Sequence, residues 1–180
     1  MAIVKWELDP DHSEIQFKVK HLMITTVTGT FRKFSVEVET EDDDFSKASH
    51  IRFKADADSI DTNNVQRDNH LKSEDFLNSK NYPQIKFTGK GFQKSEGKMT
   101  LSGNLTINGI TQIILVDVEL GGIATDPYGH TKAGFSISGK IDRRAFGLIW
   151  GSVTEAGKIV LSDEVRFQGE IQLIKQSNKM

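Results

Sequence analysis

Lys98-Met99-Thr100-Leu101-Ser102-Gly103-Asn104-Leu105-Thr106-Ile107, then Asn108-Gly109, then Ile110-Thr111-Gln112-Ile113-Ile114-Leu115-Val116-Asp117-Val118-Glu119-Leu120, reads as one hairpin. Met99, Leu101, Gly103, Leu105 and Ile107 share one face of an extended chain, because side chains alternate across a strand. Ile114, Val116, Val118 and Leu120 repeat the pattern beyond the turn. Asn108-Gly109 suits a two-residue type I′ connection, which needs positive φ at both central positions. Strands buried on both faces would read as unbroken apolar runs. These have one dry and one wet face, which argues against a parallel α/β sheet.

The same period of two extends outward from this hairpin. It recurs in Ile15, Phe17, Val19; in Phe34, Val36, Val38; in Ile51, Phe53, Ala55, Ala57; and in Ile85, Phe87. Toward the C-terminus it recurs in Ala133, Phe135, Ile137, Gly139, Ile141 and in Val165, Phe167, Gly169, Ile171, Leu173. Asp126-Pro127-Tyr128-Gly129 suits a type I turn, and Glu41-Asp42-Asp43-Asp44 a solvated loop. Only Asn63 to Asn78 breaks the pattern. Asn63 with Gln66 forms a capping-box signature, and Ser73 with Glu74 and Asp75 reads as a second helix start. This segment is expected to form one or two short helices that cap an opening. About eight one-sided antiparallel strands must bring their dry faces together, as a sandwich or as a sheet closed on itself. Closure also removes exposed edges. An interior of that size is either filled by side chains or just able to hold one small ligand.

Composition narrows the function classes. The 180 residues contain no interdomain linker or repeat and are expected to form a single domain over 1–180. Lys plus Arg number 23 and Asp plus Glu 25, a formal net charge of -2, so nucleic acid is not the expected partner. With Cys 0, disulfides, zinc-thiolate sites, iron–sulfur clusters and cysteine nucleophiles are excluded. No apolar run approaches a membrane-spanning length, so no stable membrane insertion is expected. Met1-Ala2-Ile3-Val4-Lys5-Trp6-Glu7 is too short an apolar run for a signal peptide, which gives a cytoplasmic expectation, or a periplasmic one if a leader has been trimmed away.

The inferred dry face carries no charge, but Ala55, Ala57, Gly103, Ala133, Gly139 and Gly169 sit in phase with its large residues. Two readings stand side by side: room for a guest, or bends where strands coil. Phe146-Gly147-Leu148-Ile149-Trp150 reads either as a strand buried on both faces or as an apolar lip at a pocket mouth. His12, His21, His50, His70 and His130 show no helical metal-binding spacing, so no metal is expected. Arg67-Asp68-Asn69-His70-Leu71 is the densest polar group. It reads as a solvated helix with an Asp68–Lys72 pair, or as a site with His70 as base. No Gly-x-Ser-x-Gly elbow and no phosphate-binding loop accompanies it, so catalysis is not expected. Asp142-Arg143-Arg144 reads as a solvated hairpin end, as an anionic headgroup contact or as an ion pair at the barrel rim.

Several segments taken in order resemble the YceI family of polyisoprenoid-binding, lipocalin-like barrel proteins. They include Trp6 to Ser13, Ile15 to His21, Val27 to Phe31, Arg67 to Phe76, Tyr82 to Phe87, Leu101 to Gly109, Arg143 to Leu148 and Leu161 to Val165. The resemblance implies an all-β fold: an extended antiparallel β-barrel of about eight strands, lipocalin-like, with one short helical excursion near residues 63–78. It implies a long apolar tunnel that binds an isoprenoid or fatty amphiphile, for transport, storage or sensing, with no cofactor. Family members are often dimeric, so it also implies a homodimer. Phe17, Val19, Phe34, Phe53, Phe87, Leu101, Leu105, Phe135, Ile137 and Phe167 are the expected lining. His12, Arg67, Asp68 and His70 are the expected contacts of the polar head, or else ties between the helical excursion and the barrel. Two rival readings are an enzyme acting on a bound lipid and a structural module with a filled core.

Overall fold

In the computed structural model, which describes residues 2–95, 98–151 and 160–177, the alternating segments become eleven strands. These are β1 (Ile3–Leu8), β2 (Glu14–His21), β3 (Thr25–Phe31), β4 (Phe34–Glu41), β5 (Asp44–Asp56) and β6 (Ile60–Asp61), followed by the α-helix α1 (Val65–Lys72). Then come β7 (Gln84–Ser95), β8 (Lys98–Ile107), β9 (Ile110–Thr125), β10 (Thr131–Asp142) and β11 (Glu164–Lys175). β1, β4, β5, β7, β8, β9, β10 and β11 follow one another around a ring, and β11 returns to β1. All the pairings are antiparallel.

β2, β3 and β6 extend this wall at one end. β1 and β2 pair with successive parts of β11, at Leu173–Lys175 and at Arg166–Glu170. They are two pieces of one wall strand, broken by the 3₁₀ turn Pro10–His12. Proline cannot donate to a ladder, so the chain leaves the sheet there. β3 and β4 lie against β2 and β1 in the same way, and β6 and β5 against β3 and β4. The wall is therefore eight strands laid side by side in chain order, the first closing on the last. That is the up-and-down barrel, and the sandwich alternative falls.

One end of the interior is packed shut. Trp6 is fully buried, and its indole Nε1 donates to Thr40 Oγ1 at 2.9 Å. Its ring centroid lies 4.8 Å from that of Phe45, which lies 4.8 Å edge-on from Phe135. These three rings form a floor. α1 occupies the other end, beside the free edge of β6.

The turns follow their residues. Asn108 and Gly109 have φ 54 and 73, and Gly129 N–H donates to Asp126 O at 3.1 Å. The helix start falls one residue later than its signature suggests. Asn64 is the N-cap and accepts from Arg67 N–H at 3.0 Å, while Asn63 takes a left-handed φ of 63. Ser73 opens no second helix; it is the C-cap of α1, and its hydroxyl donates to His70 O at 2.6 Å.

The inward glycines have a more specific job than leaving space. Gly139 is the register partner of Phe167, and Gly29 of Phe17. A Cβ on Gly139 would lie 2.4 Å from Phe167 Cζ, and one on Gly29 would lie 2.2 Å from Phe17 Cζ. Gly103 takes the Phe87 ring in the same way, at 2.5 Å, and has Thr88 O equally close. Each ring lies down over a glycine, along the wall. Gly103→Ala, which meets backbone as well as ring, is expected to destabilise the protein by about 1–3 kcal/mol. Urea unfolding would measure this as a lower midpoint with an unchanged slope.

Candidate functional site

With the large rings laid against the wall, the centre stays open. The barrel encloses an apolar cavity of about 290 Å³. Phe17, Val19, Phe53, Phe87, Leu101, Leu105, Phe135, Ile137 and Phe167 line it, from strands all around the barrel. Phe34 is not among the lining residues. It sits where β3 breaks into β4 and packs its ring 5.8 Å from that of Phe53. Val36 and Val38, on the same face of β4, line the cavity instead. Segments without alternation contribute Leu71, Phe76, Leu77, Leu148 and Leu161, which periodicity could not reveal.

The cavity opens toward α1. A wider mouth of about 770 Å³ shares Phe17, Val19, Leu71, Phe76 and Leu161 with it, so the two adjoin. His21, Thr25 to Thr28, Asn64, Gln66, Arg67, His70 and Trp150 complete the rim. Apolar depth and polar rim together reach the upper end of the size range of small-molecule sites, roughly 300–1,000 Å³.

The four polar candidates separate. His70 and Arg67 stand at the mouth. His70 Nε2 lies 2.8 Å from Asp75 Oδ2, and its ring meets Phe76 and Trp150 edge-on. Arg67 turns its guanidinium on Thr62, donating from Nε to Oγ1 at 2.7 Å and from Nη2 to the carbonyl at 2.6 Å. Asp68 accepts the Thr62 N–H at 2.8 Å, so it ties α1 to the end of β6 and makes no ion pair with Lys72. His12 lies in the 3₁₀ turn before β2, outside the residues that line the cavity and its mouth. It stands apart from the other three, with its Nδ1 2.8 Å from Asp9 Oδ2.

That Asp9 holds the broken strand on the outside of the barrel. It is buried and also accepts from Lys132 Nζ at 2.7 Å and Gln172 Nε2 at 3.0 Å. Burial acts to raise its pKa, but the hydrogen bonds from Lys132, His12 and Gln172 win and hold it at about 2. A folded-state pKa below the unfolded one adds stability above pH ~4, which is lost as pH falls through ~2. The contribution is on the order of 2 kcal/mol. Wild type should therefore exceed Asp9→Asn by about that much at neutral pH, and the two should converge near pH 2 in urea titrations.

Arg143 is buried at the mouth end of the cavity. Its Nη1 donates to Leu148 O and Trp150 O at 2.6 Å each, Nη2 to Leu161 O at 3.2 Å, and Nε to Ser162 O at 2.8 Å. Burial pushes its pKa down, opposed by Asp163 and Asp142. The residue read as a solvated hairpin end is thus an internal pin. The run Phe146 to Trp150 is correspondingly not a strand. A 3₁₀ turn, Arg143–Phe146, ends at left-handed Gly147, and the chain then lays Leu148 into the cavity and leaves Trp150 42% exposed at the rim.

The β2–β3 turn carries unexpected residues. Ile24 N–H donates to His21 O at 3.1 Å, and between them Leu22 and Met23 have φ 52 and 60. Left-handed φ suits glycine or asparagine, and here it costs about 1 kcal/mol or more per residue. Leu22, Met23 and Ile24 are all exposed, Ile24 by 78%.

This geometry, a closed meander around a floored apolar cavity with a mouth beside α1 among the described residues, defines an up-and-down β-barrel with an open interior. Residues 6–173 match the YceI-like domain model, and the chain belongs to the YceI-like family. It is 35% identical over 175 residues to a UPF0312 protein of Staphylococcus epidermidis, covering 94% of this chain and 97% of that one. It matches the crystal structure of a Campylobacter jejuni YceI protein with TM-score 0.76 and 34% identity, covering 94% of this chain and 97% of that chain. A domain from Saccharophagus degradans described as polyisoprenoid-binding shares the fold, with TM-score 0.72 at 14% identity, covering 95% of this chain and 98% of that chain.

Proposed function

We propose that this protein binds one long apolar chain in the tunnel, with the polar head of the amphiphile at the mouth. The observation that carries this reading is the cavity of about 290 Å³ walled by apolar side chains and adjoining a polar rim. Each buried CH₂ contributes about 0.8 kcal/mol, so ten contribute roughly 8 kcal/mol before ordering costs. That energy has no direction. Selectivity then rests on chain length and head, not on detailed chain identity. A wall of eight-residue strands tilted by about 40° has an axial reach of roughly 20 Å. A medium acyl chain fits straight; a long prenyl chain bends or leaves its end outside. The polyisoprenoid named for the Saccharophagus domain is one member of this chemical class. At 14% identity that likeness supports the fold, and the lining supports the ligand class.

Binding is favoured over catalysis by what faces the tunnel. Gln16 and Arg143 are the polar residues among the described lining, and Arg143 gives its donors to backbone carbonyls. A guanidinium has no acceptor and keeps its proton, so it cannot serve as a general base. The test is a chain-length series of saturated fatty acids titrated into delipidated protein. Affinity should rise about fourfold per CH₂ and then level off when the tunnel is full. Affinity independent of chain length would refute the proposal.

A further inference from the structure

Resting on the tunnel reading, we propose that the mouth docks on a lipid bilayer, with the Leu22–Ile24 turn as its inserting tip, so that the guest passes between membrane and tunnel without crossing water. Three chain segments meet at this rim. Leu22 N–H donates to Val160 O at 2.7 Å, His21 bridges to Leu161, and Leu161 N–H donates to Gly151 O at 2.8 Å. The exposed apolar side chains of Leu22, Met23 and Ile24 therefore stand beside exposed Trp150. Val65 is 75% exposed at the start of α1, next to the rim residues Asn64 and Gln66.

Four features point to a bilayer as the occupant. The patch borders the mouth described for the apolar cavity, so a lipid leaving the tunnel meets an apolar surface at once. The tip also keeps Leu and Met where the backbone favours Asn-Gly, the pair this same chain uses at Asn108-Gly109. Those side chains do not serve the turn, and they are not packed inward. Lys18 and Lys20, exposed on the wet face of β2 just behind the tip, are placed to reach headgroups while the tip sits deeper. Tryptophan at the rim suits the same interfacial depth.

The test uses the whole protein and phosphatidylcholine vesicles, with and without phosphatidylglycerol. The variant Leu22→Asn/Met23→Gly/Ile24→Ser gives the turn residues that its φ angles favour while removing the apolar tip. Its unfolding midpoint should match or exceed wild type, which keeps a loss of docking separate from a loss of fold. Vesicle flotation should fall by about tenfold or more, and transfer of a fluorescent fatty acid between vesicle populations should slow in parallel. Binding of the same fatty acid from solution should stay as in wild type. That last measurement tests the tunnel alone, so its failure in wild type overturns the tunnel reading rather than the docking. Unchanged flotation and transfer in the folded variant would overturn the docking proposal. A wild-type dimer lost in the variant, with no flotation by either, would overturn it in favour of self-association.

Discussion

Leu105→Trp should expel the guest from a barrel that still folds. Leu105 is buried on β8, opposite Gln112 of β9, and lines the cavity near Phe87, its register partner on β7. An indole at that position projects into a space of about 290 Å³ in which a chain and a ring cannot both fit. Excluding three or four methylenes removes about 3 kcal/mol, a loss of more than a hundredfold in affinity. The open cavity takes up the added volume that would strain a filled core, so stability should change little. Tight binding in a folded Leu105→Trp protein would mean that the guest lies elsewhere.

Arg143→Ala has the largest expected effect on stability. The side chain satisfies carbonyls of Leu148, Trp150, Leu161 and Ser162, groups separated in sequence and brought together at the mouth. Truncation strands several of them away from solvent at about 1–3 kcal/mol each, so a total near 3–5 kcal/mol is expected. Arg143→Lys should recover only part of this, since an ammonium cannot reproduce the planar fork. Denaturant titration measures both variants. Trp150 fluorescence should also shift toward that of a hydrated indole in Arg143→Ala before global unfolding, because the carbonyl that orients the rim is released. A loss below 1 kcal/mol would show that the lip holds without its pin.

The parts of this molecule that alternation governs were legible in the sequence. Strand periodicity identified the inward face, and nine of the ten residues it nominated stand around the cavity. Phe34 shares the periodicity but lies at a strand break, where the face leaves the tunnel. The glycines were ambiguous because a missing side chain says nothing about what fills its place. Only the pairing register shows phenylalanine rings lying over them. The mouth was the least legible region. Leu71, Phe76, Leu148 and Leu161 come from a helix, turns and a 3₁₀ exit, where no simple period marks the inward residues. Arg143 misled for a related reason: a charge near a hairpin end is ordinarily solvated, and its burial depends on four carbonyls supplied from later in the chain. His12 misled because its partner is Asp9 at the broken strand, a long-range tie that also needs Lys132 and Gln172.

Organic extraction of the purified protein, followed by mass spectrometry, tests the occupied tunnel most directly. A long-chain amphiphile is expected in near-equimolar amount, depleted in Leu105→Trp. Extracts free of such molecules, from a protein that also fails to take up an added fatty acid or isoprenoid, would contradict it.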